Sequence, residues 1–140
     1  MKQYTSELRL STKEPIEFID ITEQVKKAFA ASEVTEGALT IFTRHTTTAI
    51  KVNERCEKLQ RDMREALRAA VPERKYMHDE ATVDGRQNAR GHLMSMFLSS
   101  SETIPVSKGR LALGSWQSVF FVELDGPRSE REVVIKVIGA

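Results

Sequence analysis

The chain has 140 residues, enough for one domain with a buried core. Hydrophobic residues make up 40% and charged residues 29%, the balance of an ordinary globular protein and not of a disordered or fibrous one. A net charge of +1 and an aromatic content of 6% argue against a nucleic-acid surface built on bulk positive charge and base stacking.

The single cysteine, Cys56, cannot close an intrachain disulfide, so reducing cytoplasm is the expected compartment. The N-terminal MKQYTSELRL lacks the apolar run of a secretory signal. No stretch of about 18 apolar residues is present to cross a membrane.

Residues 5–12 read as a strand, with a turn at 13–15 and a second strand over 16–21. Thr22 is placed to cap a helix running through Ser32, with Glu23 in its first turn and Val25 and Phe29 at apolar spacing. Gly37 marks a turn before a strand over 38–44. Residues 46–52 are β-like again, so the backbone is expected to bend or bulge near His45. The pattern predicts a helix over 54–70, with Cys56, Leu59, Met63, Ala66, Leu67 and Ala70 on its apolar face and Pro72 as its stop. Residues 73–87 show no clear period, and 88–98 read as a helix. The remainder is β, at 101–106, 110–113, 115–124 and 131–138, punctuated by Lys108-Gly109 and Asp125-Gly126-Pro127. No repeat, linker or low-complexity tract divides residues 1–140. The last two strands are apolar on both sides, which predicts cover on both faces. In so small a domain the second cover is expected to come from another copy of the chain.

The most informative run is LTIFTRHTTT, residues 39–48. It ends a β-type segment in a cation, an imidazole and three hydroxyls. His78 lies in the irregular stretch after Tyr76, and His92 lies on a helix four residues from Asn88, so the two share a face. Gly91 beside them permits a strand or ligand to approach closely. A strand end, a loop and a helix each supply one histidine, a reasonable way to assemble a pocket. Three imidazoles suit a zinc-like ion with an open position, or acid–base work near neutral pH. The spacing alone leaves these open, along with the plainer alternative that each ring is a lone half-buried polar group. Asn53-Glu54 reads equally as a helix cap, the Thr46–Thr48 run as good strand residues, and Asp125–Arg128 first as a turn. Arg128 gains interest if that turn folds over the pocket, where a guanidinium suits a phosphate. Trp116, the only tryptophan, belongs more often to a core than to a ligand stack.

The ordered set TRHTTTAIKVNE, YMHDE, NARGHL and IPVSKGRLALGSWQSVFFVELDGPR resembles the YjbQ-like family, over residues 5–140. Its members are often labelled secondary thiamine-phosphate synthase enzymes. The resemblance implies an α+β fold with a mixed or antiparallel barrel-like sheet, two or three helices and assembly as a trimer. It implies a shared polar pocket close to a subunit boundary, mapped here onto His45, Glu54, His78, Asn88, His92, Trp116, Gln117, Glu123 and Arg128. It further implies a divalent metal, zinc or magnesium, among His45, His78 and His92, and a weak activity joining a pyrimidine diphosphate to a thiazole phosphate. In that reaction Arg44 and Arg128 would neutralise the diphosphate, Thr46 and Thr47 would contact substrate, and Glu54 or Glu123 would orient an imidazole. Met94 stands where the family tends to have a lysine, which removes one candidate phosphate contact. Ser115 replaces a threonine and keeps the hydroxyl, and 99–101 replaces a glycine-containing turn. Rival expectations are a metal-dependent phosphate-ester hydrolase, a non-catalytic binding protein, and a trimer whose histidines only fill the contact.

Overall fold

Eight strands and three helices follow one another along the chain in a computed structural model that describes residues 1–80 and 82–140. The strands are β1 (Lys2–Leu10), β2 (Glu17–Asp20), β3 (Gly37–Thr43), β4 (Thr48–Glu54), β5 (Ser101–Ser107), β6 (Arg110–Leu111), β7 (Gln117–Glu123) and β8 (Arg131–Gly139). The helices are α1 (Thr22–Ser32), α2 (Glu57–Ala70) and α3 (Ala89–Ser95). Among the described residues no helix is long and apolar enough to cross a membrane.

All pairings are antiparallel. One sheet has the order β1-β8-β3-β5-β6 and the other β2-β7-β4. A bridge between Ile50 and Ser99 joins the two, and together they curl into a half-barrel. This is the α+β, barrel-like architecture expected from the sequence.

Two cores result from period-2 alternation. Leu39, Ile41, Val133, Ile135 and Val137 of the large sheet face Ile50, Val119 and Phe121 of the small one, and α1 closes the gap with Ile21, Val25 and Ala28. The opposite face of the small sheet, Ala49, Phe120 and Val122, packs under Leu67, Val71 and Met94. Strand β7 is therefore buried on both faces by its own chain, without a second subunit. Strand β8 differs from the expectation. Only its inner residues are buried, while Ile138 remains 43% exposed, as does Phe42 of β3 at 40%. Phe42 pairs with Val134 and Ala38 with Ile138, and the Thr40–Lys136 pair separates them, so the outer face of the large sheet carries two exposed apolar spots on a polar surface.

Local chemistry shifts several predicted ends. Thr22 does not cap α1. Its hydroxyl donates to Asp20 Oδ1 at 2.5 Å and accepts from the Val119 N–H at 2.9 Å, while Asp20 also takes the Thr22 N–H. Helix α2 begins at Glu57, not 54, because Glu54 still pairs with Gln117 in the β4–β7 ladder. Gln60 then caps it, accepting from the Cys56 N–H and donating to the Glu54 carbonyl. Of the six apolar positions expected on α2 only Leu67 is buried, and Cys56 is exposed. Helix α3 is shorter than predicted. It starts under a carboxylate from the 3₁₀ turn at Met77–Asp79, where Asp79 Oδ1 accepts the Ala89 N–H at 3.0 Å. A Cβ at Gly91 would lie 2.7 Å from the Leu124 carbonyl oxygen, so glycine there lets α3 press against the end of β7. That contact brings Asn88 and His92 to the rest of the site.

Candidate functional site

The site forms where the ends of β3, β7 and α3 meet the start of β8. Its foundation is an ion pair between Glu123, 0% exposed, and Arg131, 2% exposed. Arg131 Nη2 and Nε lie 2.5 and 2.9 Å from the two Glu123 oxygens. The same carboxylate accepts from the Thr12 hydroxyl and from the Leu124 and Asp125 N–H groups. Burial pushes the Glu123 carboxyl up, but these donors outweigh it and hold the group below its ordinary value. Arg131 Nη2 also donates to the Thr47 hydroxyl at 2.9 Å, fixing the loop that carries His45.

His45 lies in the bend between β3 and β4, at the position expected from the sequence. Thr43 and Thr48 clamp the bend through their hydroxyls, 2.7 Å apart, and Thr48 donates to the His45 carbonyl. The Glu132 N–H donates to His45 Nε2 at 2.9 Å. A nitrogen that accepts carries no proton, so the ring is neutral with its hydrogen on Nδ1. Burial, then Arg131, holds the imidazole below its ordinary value, against the pull of Glu132 and Glu123.

The second support is Asp125. Its carboxylate takes Arg86 Nε and Nη2 at 3.2 and 3.1 Å, Arg128 Nη2 at 2.7 Å and Asn88 Nδ2 at 2.8 Å. Burial raises this carboxyl, and the hydrogen bonds from Arg86, Asn88 and Arg128 bring it below its ordinary value. Because Asn88 spends its amide hydrogen on Asp125, its oxygen faces His78 Nε2 at 3.1 Å. That oxygen only accepts, so Nε2 of His78 carries the proton. The rings of His78 and His92 meet edge to face with centroids 4.8 Å apart.

Arg44, His45, Thr46, Thr47, Asp84, Asn88, His92, Arg128 and Arg131 line one cavity of about 290 Å³. His45 and His92 also share a neighbouring cavity of about 460 Å³, and His78 and His92 share a third of about 580 Å³. His92 is thus common to all three. Three of the residues mapped from the family pattern lie elsewhere. Thr48 and Glu123 pair at one end of the β4–β7 ladder, and Glu54 and Gln117 pair at the other. Six steps separate them, about 20 Å. Trp116 lies beside Gln117, 77% exposed and outside the core. Glu123 is near the histidines but sealed beneath them, so it orients Arg131 and does not reach a ligand.

The three histidines do not form the metal centre that the resemblance implied. Nε2 of His45 and of His78 are engaged, and among the described residues no three His, Cys, Asp or Glu side chains gather closely enough to hold an ion. Five residues of the site, Thr12, Asp79, Arg86, Asp125 and Arg131, escape a reading of the sequence. Asp125 stands in the Asp-Gly-Pro-Arg quartet, which reads as a turn. Arg131 reads as the opening of a strand, and a charge at the start of a Val- and Ile-rich segment is the available signal.

The fold and site define a small α+β protein with a hydrogen-bonding, arginine- and histidine-lined pocket. The family model described as UPF0047 protein YjbQ-like matches residues 6–140, and the chain belongs to that family. A UPF0047 protein of Methanothermobacter thermautotrophicus is 42% identical, covering 94% of this chain and 90% of its own. UPF0047 protein YugU of Bacillus subtilis is 34% identical over 94% of this chain and 97% of its own. The crystal structure of a YbjQ-like protein of unknown function from Sulfolobus solfataricus superposes with a TM-score of 0.93 at 36% identity, covering 99% of each chain.

Two predictions arise from this geometry. Both lowered carboxyls stabilise the fold fully above the ordinary carboxylate range and lose that contribution as pH falls through their folded-state values. Urea unfolding should therefore show stability declining below about pH 4.5. Glu123→Gln should lower stability by about 3–5 kcal/mol at pH 7, through the charge left on Arg131, and flatten the acid slope. An unchanged slope would remove Glu123 as its source. Nitrogen-15 correlation spectra above pH 8 should show His45 as the Nδ1–H tautomer and His78 as the Nε2–H tautomer. The opposite assignment for either ring would refute the hydrogen-bond chain inferred for it.

Proposed function

We propose that the cavity between His45, His92 and Arg128 binds a small phosphorylated molecule. On it the chain carries out, slowly, the union of a pyrimidine diphosphate with a thiazole phosphate to give thiamine phosphate and diphosphate. The observation that carries the anion reading is Arg131. This almost wholly buried guanidinium lines the cavity, and its Nε and Nη2 are committed to Glu123 and Thr47, which leaves Nη1 for a ligand. The Nδ1–H of His45 and the hydroxyl of Thr46 supply further neutral donors, and Arg128 keeps its Nη1 group beyond its bonds to Asp125.

In the synthase reaction the bond between the pyrimidine methylene carbon and the diphosphate oxygen breaks, and its electron pair leaves with diphosphate. The lone pair of the thiazole nitrogen forms the new carbon–nitrogen bond, and the positive charge stays on that ring. Arg128 and Arg131 offset the growing charge on diphosphate, His45 donates a hydrogen bond to it, and His92 protonates the departing oxygen. The histidines as placed do not fit a metal, and no step is assigned to one. A second reading, binding without turnover, has one specific support. Arg44 is paired with Glu7 at 2.9 Å and Arg128 with Asp125, so both arginines must share themselves with a ligand.

The assembly we propose is a homotrimer in the cytoplasm. Its supports are the exposed Phe42 and Ile138 on the outer face of the large sheet, and the separation of Glu54, Trp116 and Gln117 from the histidines, which a neighbouring copy could close. Sedimentation equilibrium should return three chains, and Ile138→Lys should lower that mass. A wild-type mass of one chain would dismiss the trimer. Replacing His45 or His92 with Ala should abolish turnover while circular dichroism stays native. Full activity in both variants excludes a catalytic role for either ring.

A further inference from the structure

The cavity beside the edge-to-face pair His78 and His92 differs in chemistry from the one that takes the anion. It measures about 580 Å³ and is walled by Tyr76, Met77 and Leu93, with Arg74 and Lys75 at its rim. We propose that it holds the apolar body of an organic phosphate whose charged end lies against Arg128 and Arg131; this rests on the anion reading above.

Four observations converge on that occupant. First, His92 lines both cavities, so the two adjoin at one imidazole. Second, the wall is set in place without a ligand. The Tyr76 hydroxyl donates to the Pro72 carbonyl at 2.5 Å, and the Arg74 guanidinium lies 4.4 Å over the tyrosine ring. Third, Met77 is 88% exposed and takes no part in either core. A flexible thioether at a cavity mouth is suited to closing on an apolar group. Fourth, Arg74 and Lys75 favour an anion over a neutral molecule, while a volume of about 580 Å³ is far more than phosphate alone fills; cavities of this size hold ring-sized ligands. Tyr76, Met77 and Leu93 are therefore specificity-determining residues. The bond between the charged end and the apolar body lies beside His92, where a proton can be delivered to the oxygen that leaves.

Calorimetry on the full chain with two probes, inorganic phosphate and phenyl phosphate, tests the assignment. Phenyl phosphate should bind at least about tenfold more tightly, the scale on which a small apolar contact discriminates. Met77→Ser, which removes the apolar group at an exposed position outside the cores without adding charge, should erase that advantage and leave phosphate affinity unchanged. Arg128→Ala should weaken both probes. Equal affinity of the wild type for the two probes, or a preference for phenyl phosphate that survives Met77→Ser, overturns the apolar chamber and leaves the anion site standing. Failure of the wild type to bind either probe overturns the anion site as well.

Discussion

The carboxylate of Glu123 is the constraint on which the rest of this molecule depends. It sits where the last rung of the small sheet meets the first residue of β8 in the large one. Taking a carboxylate and a guanidinium out of water is costly, and the attraction between them offsets that only when the remaining lone pairs are also filled. Here they are filled, by Thr12, by two arginine nitrogens and by the Leu124 and Asp125 N–H groups. The pair thereby ties together the chain before β2, the end of β7 and the start of β8. Through Thr47 it also holds the bend that presents His45. A pair of apolar residues of similar volume would bury well, yet it would fix none of these segments relative to the others.

Above that foundation lies Asp125, whose role is orientation. One carboxylate receives two guanidiniums and an amide, and the amide passes the constraint on to His78. The close approach at Gly91 makes this possible, since any Cβ there would push α3, and with it Asn88 and His92, away from Leu124. The result is a site in which two imidazoles, His45 and His78, have assigned protons before any ligand arrives. Such preorganisation is what a hydrogen-bonding site needs if its donors are not to reorient during binding.

Much of this fold was legible because the alternation in β3, β7 and β8 is strong, and each of those strands is found within two residues of its expected ends. The boundaries that moved did so for reasons outside local pattern. Glu54 pairs across the ladder with Gln117, so α2 starts later, and Asp20 rather than Thr22 caps α1. The candidate site was legible where its chemistry is concentrated in one run, as at Arg44–Thr47, or recurs at helical spacing, as at Asn88 and His92. It was not legible for Arg131 and Asp125, whose partners lie up to 84 positions away. No spacing rule connects an arginine at a strand start to a threonine in a distant bend. Glu54, Trp116 and Gln117 illustrate the reverse case, since nearness in a family pattern is not nearness within one chain.

The character of the pocket follows from how its charges are arranged. Arg44, Arg86, Arg128 and Arg131 surround it, but Glu7, Asp84, Glu123, Asp125 and Glu132 stand directly behind or beside them. Their charges largely cancel, consistent with a chain of net charge +1. The pocket therefore does not attract anions from a distance, and the field it projects beyond a Debye length is small. What remains after cancellation is direction. Arg128, Arg131, His45, Thr46 and Thr47 line one cavity, with Asp84 as the carboxylate among its lining residues. Short-range donors of this kind reward a ligand by shape and by the placement of its oxygens, and they are less weakened by salt than a bare positive patch would be. A site built in this way suits the proposed organic phosphate, because it would select among anions instead of collecting them.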